Sequence, residues 1–232
     1  MNTSEVRSSV GWRRRARGVG RDANWWAAVL FMIGSFLFAL GSFPLYSQRV
    51  DPGTVGVTFF VGSIFFTSAG AAQLLFTIRT ERPADRAGRL FDHGFAWWSA
   101  AVQLVGTVLF NVSTFDALLD GLSTEQTNRL VWSPDLFGSV AFLLASYLAW
   151  VDLLGIRWVV RSDDDEWWVV ALNAAGSIVF MVSAIAAFVL PTTGEVLNTT
   201  LVNLGTFLGA VGFFLGAYLL LPVVPTGPAS TS

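Results

Sequence analysis

Four amide side chains interrupt otherwise apolar stretches of the chain: Gln73, Gln103, Asn111 and Asn173. An amide inside a membrane segment either hydrogen bonds to a neighbouring helix or lines a path for a polar solute. Gln103 and Asn173 are the main candidates for such a lining, because each lies five residues after a Trp-Trp pair and close to a face of small residues. The sequence leaves both alternatives open, an interhelical hydrogen bond and a polar path.

The chain offers few other groups for chemistry. It has no cysteine and a single histidine, His93, which excludes thiolate chemistry and multi-histidine metal sites. It has no glycine-rich phosphate loop, no zinc motif and no Ser-His-Asp set. Asp135 and Asp152 fall near the ends of one apolar stretch, where a carboxylate can reach the membrane interface. We therefore expect no enzyme activity, no catalytic residue, no cofactor and no metal.

The composition favours lipid as part of the solvent. Hydrophobic residues make up 53% of the 232 residues, charged residues only 13%, and the mean hydropathy is +0.59. A typical soluble domain has about 25% charged residues. Six apolar stretches, each long enough to span a hydrocarbon core as a helix, run over 25–46, 54–77, 96–115, 136–156, 167–190 and 200–222. The sequence predicts an all-α integral membrane protein with six transmembrane helices.

Arginine placement predicts the orientation. Most of the arginines lie in residues 1–23 or in the segments after the second and fourth stretches, whereas the opposite side has only Arg49 and Arg129. The positive-inside rule then puts both termini in the cytoplasm of an inner-membrane protein. Residues 1–23 form a basic cytoplasmic tail and 223–232 a short C-terminal one. The tail's charge suits anionic lipid headgroups, and we expect no nucleic-acid partner. All basic residues are arginine, which favours a GC-rich bacterial genome.

One pattern begins the odd-numbered stretches three times. A Trp pair is followed eight residues later by Gly, then by a hydroxyl residue, and four residues after the Gly by Phe. Trp-Trp at the membrane interface is typical of an anchor. The anchors are Trp25, Trp26, Trp97, Trp98, Trp167 and Trp168, and the glycines are Gly34, Gly106 and Gly176.

A weaker pattern recurs in the even-numbered stretches. Gly62, Gly138 and Gly209 are each followed by Phe four residues later and by a small residue seven residues later. These spacings fall on one helix face, where small residues let helix backbones approach closely. The sequence thus predicts three tandem two-helix hairpins over 24–78, 95–156 and 166–222, packed through the six glycines. Asp51-Pro52 and Ser133-Pro134 are interpreted as N-terminal caps of the second and fourth helices.

The first hairpin, WWAAVLFMIGSFLFALGSF followed by GTVGVTFFVGSIFFTSAGAAQLL, resembles the YrhK-like domain of small bacterial membrane proteins. The likeness is clearest over residues 24–78. It implies a membrane location, and it carries no activity and no site residue to this chain.

Two functions remain open at the level of sequence. The first is a non-enzymatic structural or accessory component that packs against a second copy or another membrane protein. The second is a passive channel or carrier for a small solute. Ion-coupled transport is disfavoured because no charged residue falls in the middle of an apolar stretch.

Overall fold

The computed structural model describes residues 23–80, 93–157 and 159–221, and this part of the chain is mostly helical. Six of its helices are long and apolar enough to cross a membrane, which confirms the predicted class at that level. They are α1 (Ala23–Ser42), α2 (Pro52–Thr80), α3 (Phe95–Asp116), α4 (Ser133–Leu154), α5 (Asp165–Ala186) and α6 (Thr199–Leu219). The predicted basic tail, apart from Ala23, and the predicted tail 223–232 lie outside the described residues.

The six helices pack as a closed ring. Each helix packs against the next one in the chain, and α6 returns to pack against α1. Contacts are most extensive within the pairs α1–α2, α3–α4 and α5–α6. We call the end of the bundle at which α1, α3 and α5 finish the distal end, and the end that carries the three Trp pairs the proximal end.

Helices α1 and α5 end four residues before the apolar stretches predicted for them do. The stretch 25–46 is broken because Phe43, which precedes Pro44, takes an extended conformation with φ −77° and ψ 120°, and a short helical turn Pro44–Ser47 follows. The stretch 167–190 ends as helix at Ala186. Beyond it, Val189 pairs with Val196 in an antiparallel bridge, so the last apolar residues belong to a distal hairpin loop.

The predicted start of α4 at a Ser133 cap is wrong. The chain is already helical from Thr124, where Ser123 and Gln126 form a capping box, and it continues through a π-helical segment, Thr127–Trp132, into α4. Pro134 has no N–H and its ring clashes with the carbonyl four residues back, so an extra residue in the preceding turn relieves the strain. Pro134 therefore lies within a helix of 31 residues that runs from Thr124 to Leu154.

The other predicted cap is confirmed. Asp51 precedes α2, and its carboxylate accepts hydrogen bonds from the Thr54 hydroxyl and from the Thr54 N–H, at 2.5 and 2.9 Å. These two bonds hold the pKa of the Asp51 carboxyl below its usual range. Asp164 caps α5 in the same manner by accepting from the N–H of Glu166.

Candidate functional site

The six glycines predicted for packing lie where two helices of a pair cross. A Cβ added to Gly176 would lie 3.0 Å from the carbonyl oxygen of Gly209, and one added to Gly209 would lie 3.1 Å from that of Gly176. Each glycine also faces the other helix's phenylalanine, Phe213 or Phe180. The same reciprocal contact joins Gly106 with Gly138, whereas a Cβ on Gly34 would meet the carbonyl oxygen of Gly62 at 3.0 Å and one on Gly62 would meet the ring of Phe38. Both helices can approach this closely only because neither carries a side chain at the crossing.

Six phenylalanines fill the centre of the ring, one from each helix and each four residues after its glycine: Phe38, Phe66, Phe110, Phe142, Phe180 and Phe213. The rings of the odd-numbered helices form one triangle, with centroids 6.0 to 6.3 Å apart. Those of the even-numbered helices form a second, 5.3 to 6.3 Å apart. Rings of the same pair lie 5.1 to 5.5 Å apart. All six are at most 6% exposed, so the axis is closed by two stacked layers of aromatic rings.

A cavity of about 240 Å³ lies above this centre, at the distal end of the bundle. Its floor is the odd triangle, Phe38, Phe110 and Phe180, and every one of the six long helices contributes to its lining. The buried rings of these three phenylalanines close the cavity toward the centre of the bundle.

Asp135 is the single charged residue among the sixteen that line this cavity. Within the described part of the chain, its carboxylate takes part in no hydrogen bond or ion pair. The sequence suggested only an interfacial position at the start of α4. Since the helix begins at Thr124, Asp135 instead lies well inside it and faces the axis.

Four of the five hydroxyls that line the cavity, all but that of Thr127, use their protons within the protein. Ser113 donates to the carbonyl oxygen of Val131 at 2.9 Å, and Thr114 donates to that of Phe110 at 2.7 Å. Ser183 donates to the carbonyl oxygen of Val202 at 2.8 Å. Its oxygen also lies 2.8 Å from that of Thr206, which must then donate to it. A hydroxyl that has spent its proton offers only lone pairs to a ligand.

The four predicted intramembrane amides do not form one path. Asn111 joins α3 to α2, because its oxygen accepts from the Ser63 hydroxyl at 2.7 Å and its nitrogen donates to Thr67. Asn173 donates at 2.8 Å to the Val169 carbonyl of its own helix. None of the four lines the distal cavity.

Gln103 and Asn173 occupy equivalent positions and have different surroundings. Asn173 packs against α6, where a Cβ on Gly216 would lie 3.0 Å from its amide nitrogen. Gln103 is partly buried. Gln73, on α2, has a buried side-chain oxygen with no hydrogen-bond partner among the described residues. The sequence could place these amides on helix faces, but it could not show that Asn111 bonds to another helix whereas Asn173 bonds within its own.

A second, apolar recess of about 400 Å³ runs between α1 and α6 on the outside of the ring. Ser35 lies at its base. This side chain is fully buried, and its hydroxyl has no hydrogen-bond partner in the described part of the chain. The matching hydroxyl of Ser177, on α5, has two partners, the Asn173 carbonyl at 2.8 Å and Ser146 of α4 at 2.9 Å. The α6–α1 seam thus lacks a polar link that the α4–α5 seam has.

The three Trp pairs lie at the same place in their helices, as the third and fourth residues of α1, α3 and α5. In each pair the rings meet edge to face, with centroids 4.9 to 5.0 Å apart. Trp167 and Trp168 donate to the carbonyl oxygens of Val159 and Ser162 at 2.9 and 3.0 Å. An apolar ring with a polar edge bonded to the loop suits a helix start at an interface.

Within the described residues, no three of the His, Asp and Glu side chains gather closely enough to hold a metal ion. Comparisons with models of known families, with curated proteins and with solved structures found no match to this chain.

Proposed function

We propose that this chain is a multi-pass inner-membrane protein with both termini in the cytoplasm, and that it acts as a non-enzymatic structural or accessory component through helix packing. The observation that carries the proposal is the closed centre. Six phenylalanine rings occupy the axis, and the glycines lie at the crossings, where they let the helices pack closely. A bundle built in this way is rigid and gives water no axial route.

We infer further that the bundle consists of three tandem hairpin repeats. The glycines of the odd-numbered helices each stand twelfth in their helix, at Gly34, Gly106 and Gly176. Each lies against its counterpart in the following helix and against the phenylalanine four residues beyond that counterpart. Three copies of one crossing support a repeated hairpin. Membership of the YrhK-like family remains a prediction.

The recess between α1 and α6 is the place on this bundle best suited to a partner helix. Its base has small residues four positions apart, Ser35 and Ala39, together with Ala210. Small residues at that spacing allow a second helix to approach closely in lipid. The incoming helix would be held by close packing alone, because the Ser35 hydroxyl is fully buried beneath the recess.

Solute flux through the purified protein tests the proposal. Vesicles that contain the full chain should release water, glycerol and choline no faster than protein-free vesicles, because the phenylalanine layers close the axis. Vesicles with an unrelated open channel serve as the positive control. Release above the protein-free rate would replace the accessory function with passive conduction.

A passive carrier is the second candidate, and the distal cavity favours it. The cavity could hold a small solute, and a shift of the phenylalanine layers would then have to open it to the other side. Exchange of a labelled solute between the two sides of a vesicle, without net leak, would distinguish a carrier from both a channel and a closed bundle.

A further inference from the structure

We propose that the distal cavity is a binding site for a small organic ammonium ion, with Asp135 as its counter-ion and the rings of Phe38, Phe110 and Phe180 as its floor. Binding at this site requires neither transport nor a partner, so it stands apart from the proposed function. Each of four features of the cavity supports it.

The first feature is charge. Asp135 is the one ionisable group among the residues that line the cavity, and no arginine or histidine is among them. A carboxylate without a partner is costly in an apolar surrounding, whereas a nearby cation favours its charged form. The cavity therefore selects for positive charge and against anions.

The second feature is the aromatic surface. Five aromatic side chains line the cavity: Phe38, Phe59, Phe110, Trp132 and Phe180. The face of an aromatic ring attracts a cation, and alkylated ammonium ions are the ligands for which aromatic cages are typical. Their methyl groups also pack against the rings, which a hydrated inorganic ion does not.

The third feature is the set of hydroxyls. Ser113, Thr114, Ser183 and Thr206 have donated their protons to oxygens of the protein. Their remaining lone pairs can accept from an N–H or O–H group of a ligand. The lining thus offers a carboxylate, aromatic faces and acceptor oxygens, all of which favour a cation.

The fourth feature is size. A volume of about 240 Å³ is too large for a bare metal ion and suits an ammonium ion of the size of choline. A divalent cation of the Ca²⁺ type takes about six to eight oxygen ligands at close range. This cavity has a single carboxylate, and most of its surface is apolar.

Calorimetric titration of the purified full chain with choline tests the proposal. The matched ligand is the neutral isostere of choline, in which carbon replaces the quaternary nitrogen. We expect choline to bind at least about tenfold more tightly than the isostere, a difference of about 1.4 kcal/mol. Equal binding of the two would show a cavity that selects shape alone, and no binding of choline would show no ammonium site; either result overturns the proposal.

Variants then locate the binding. Asp135→Asn keeps the shape of the side chain and removes its charge, so choline affinity should fall by at least about tenfold. Phe59→Leu, which removes one ring from the wall, should weaken choline severalfold and weaken the isostere less, because only choline loses a cation–π contact. Asp120→Asn removes an exposed carboxylate that does not line the cavity and should have no effect.

Two results with the variants would contradict the site. Unchanged choline affinity in a folded Asp135→Asn protein would overturn the role of this carboxylate. Displacement of choline by an equal concentration of sodium would assign the site to inorganic cations. If the Asp135→Asn protein fails to fold, the comparison of choline with its isostere on the unmodified chain still decides the question.

Discussion

Gly176 and Gly209 show what a single residue contributes to this bundle. The carbonyl oxygen of Gly209 is backbone and cannot rotate away from a side chain added at Gly176. We expect Gly176→Ala to lower the free energy of unfolding by about 1–3 kcal/mol, the usual cost of forcing extra atoms into a packed core. Denaturant unfolding in mixed micelles measures this. Gly94→Ala is the control, because a Cβ at Gly94 meets nothing within 4 Å.

Gly94→Ala should cost less than Gly176→Ala, about 0.5 kcal/mol, because it meets no neighbour and loses only the preference for glycine over alanine at a helix N-cap. Equal stability of the two variants would mean that α5 and α6 can separate without cost, which would remove the argument for glycine at the crossings.

Ser35 and Ser177 occupy equivalent positions in the sequence pattern but differ in their hydrogen bonding. The Ser177 hydroxyl bonds to Ser146, whereas the Ser35 hydroxyl is buried without a partner. Ser177→Ala should destabilise the protein by about 1 kcal/mol, because it removes an interhelical hydrogen bond. Ser35→Ala should be neutral or stabilising, because it removes a group that was desolvated for no bond. Thermal unfolding of the two variants in one detergent checks the sign of the difference; a loss at Ser35 as large as at Ser177 would contradict it.

The sequence predicted the packing residues that recur at a fixed spacing along one helix. It missed Asp135, whose place depends on where its helix begins and on the helices around it. Glycine followed four residues later by phenylalanine is a pattern within one helix, so the central residues could be found. Asp135 was missed because Ser133-Pro134 is typical of a helix start, and an acid after such a start is expected at the interface. The proline instead lies inside a longer helix, where it accompanies a π-helical segment. An acid directly after a proline, on the face of Gly138 and Phe142, was the available signal.

At the scale of elements, the π-helical segment Thr127–Trp132 holds the distal loop 187–198 in place. Asn128 forms two hydrogen bonds to Val189, donating to its carbonyl oxygen at 2.7 Å and accepting from its N–H at 3.0 Å. Trp132 donates to the Ala184 carbonyl at 2.9 Å and packs edge to face on Phe188. The loop and the segment together form part of the distal end around the cavity.

Asn128→Ala should therefore free the distal loop. Both backbone groups of Val189, which is only 9% exposed, would lose their partners, and each unsatisfied buried group costs about 1–3 kcal/mol. Hydrogen exchange across residues 187–198 should become faster, while exchange in α1 should not change. Gln126→Ala alters an exposed capping box just before the same segment and serves as the control. Unchanged exchange in the Asn128 variant would mean that the loop is held by its own bridge between Val189 and Val196.

Hydropathy located all six long helices because each must satisfy its backbone and present apolar side chains, whether or not it meets a neighbour. Hydropathy misplaced the helix ends that are set by a proline or by contacts with another segment. Pro44 ends α1 although the residues around it are apolar. Phe188 and Val189 are apolar enough to continue α5, yet they turn to pack on Trp132 and to pair with Val196. Such ends are decided by contacts between segments far apart in the chain.

At the scale of the whole molecule, the same glycine-phenylalanine spacing serves two purposes at once. The glycines join the helices of each pair, and the phenylalanines join the pairs to one another at the axis. The ring closes where α6 packs against α1. That seam contains the apolar recess and has no counterpart to the hydrogen bond between Ser146 and Ser177. A molecule closed in this way can be solid at its centre and still have one face left for a partner.

A solid centre predicts that water does not reach Gln103 or Asn173. The chain has no cysteine, so single cysteines placed at Gln103, Asn173 and, as a control, Leu109 can be labelled without background. In vesicles, a membrane-impermeant thiol reagent added to both sides should leave all three unlabelled, whereas a cysteine at the exposed residue Asp120 should react quickly. Fast reaction at 103 and 173 but not at 109 would mean that water passes the hydrocarbon core beside the phenylalanine layers. A passive carrier would then explain the amides better than packing does, because an interhelical hydrogen bond gives no reason for water to reach equivalent positions on two helices.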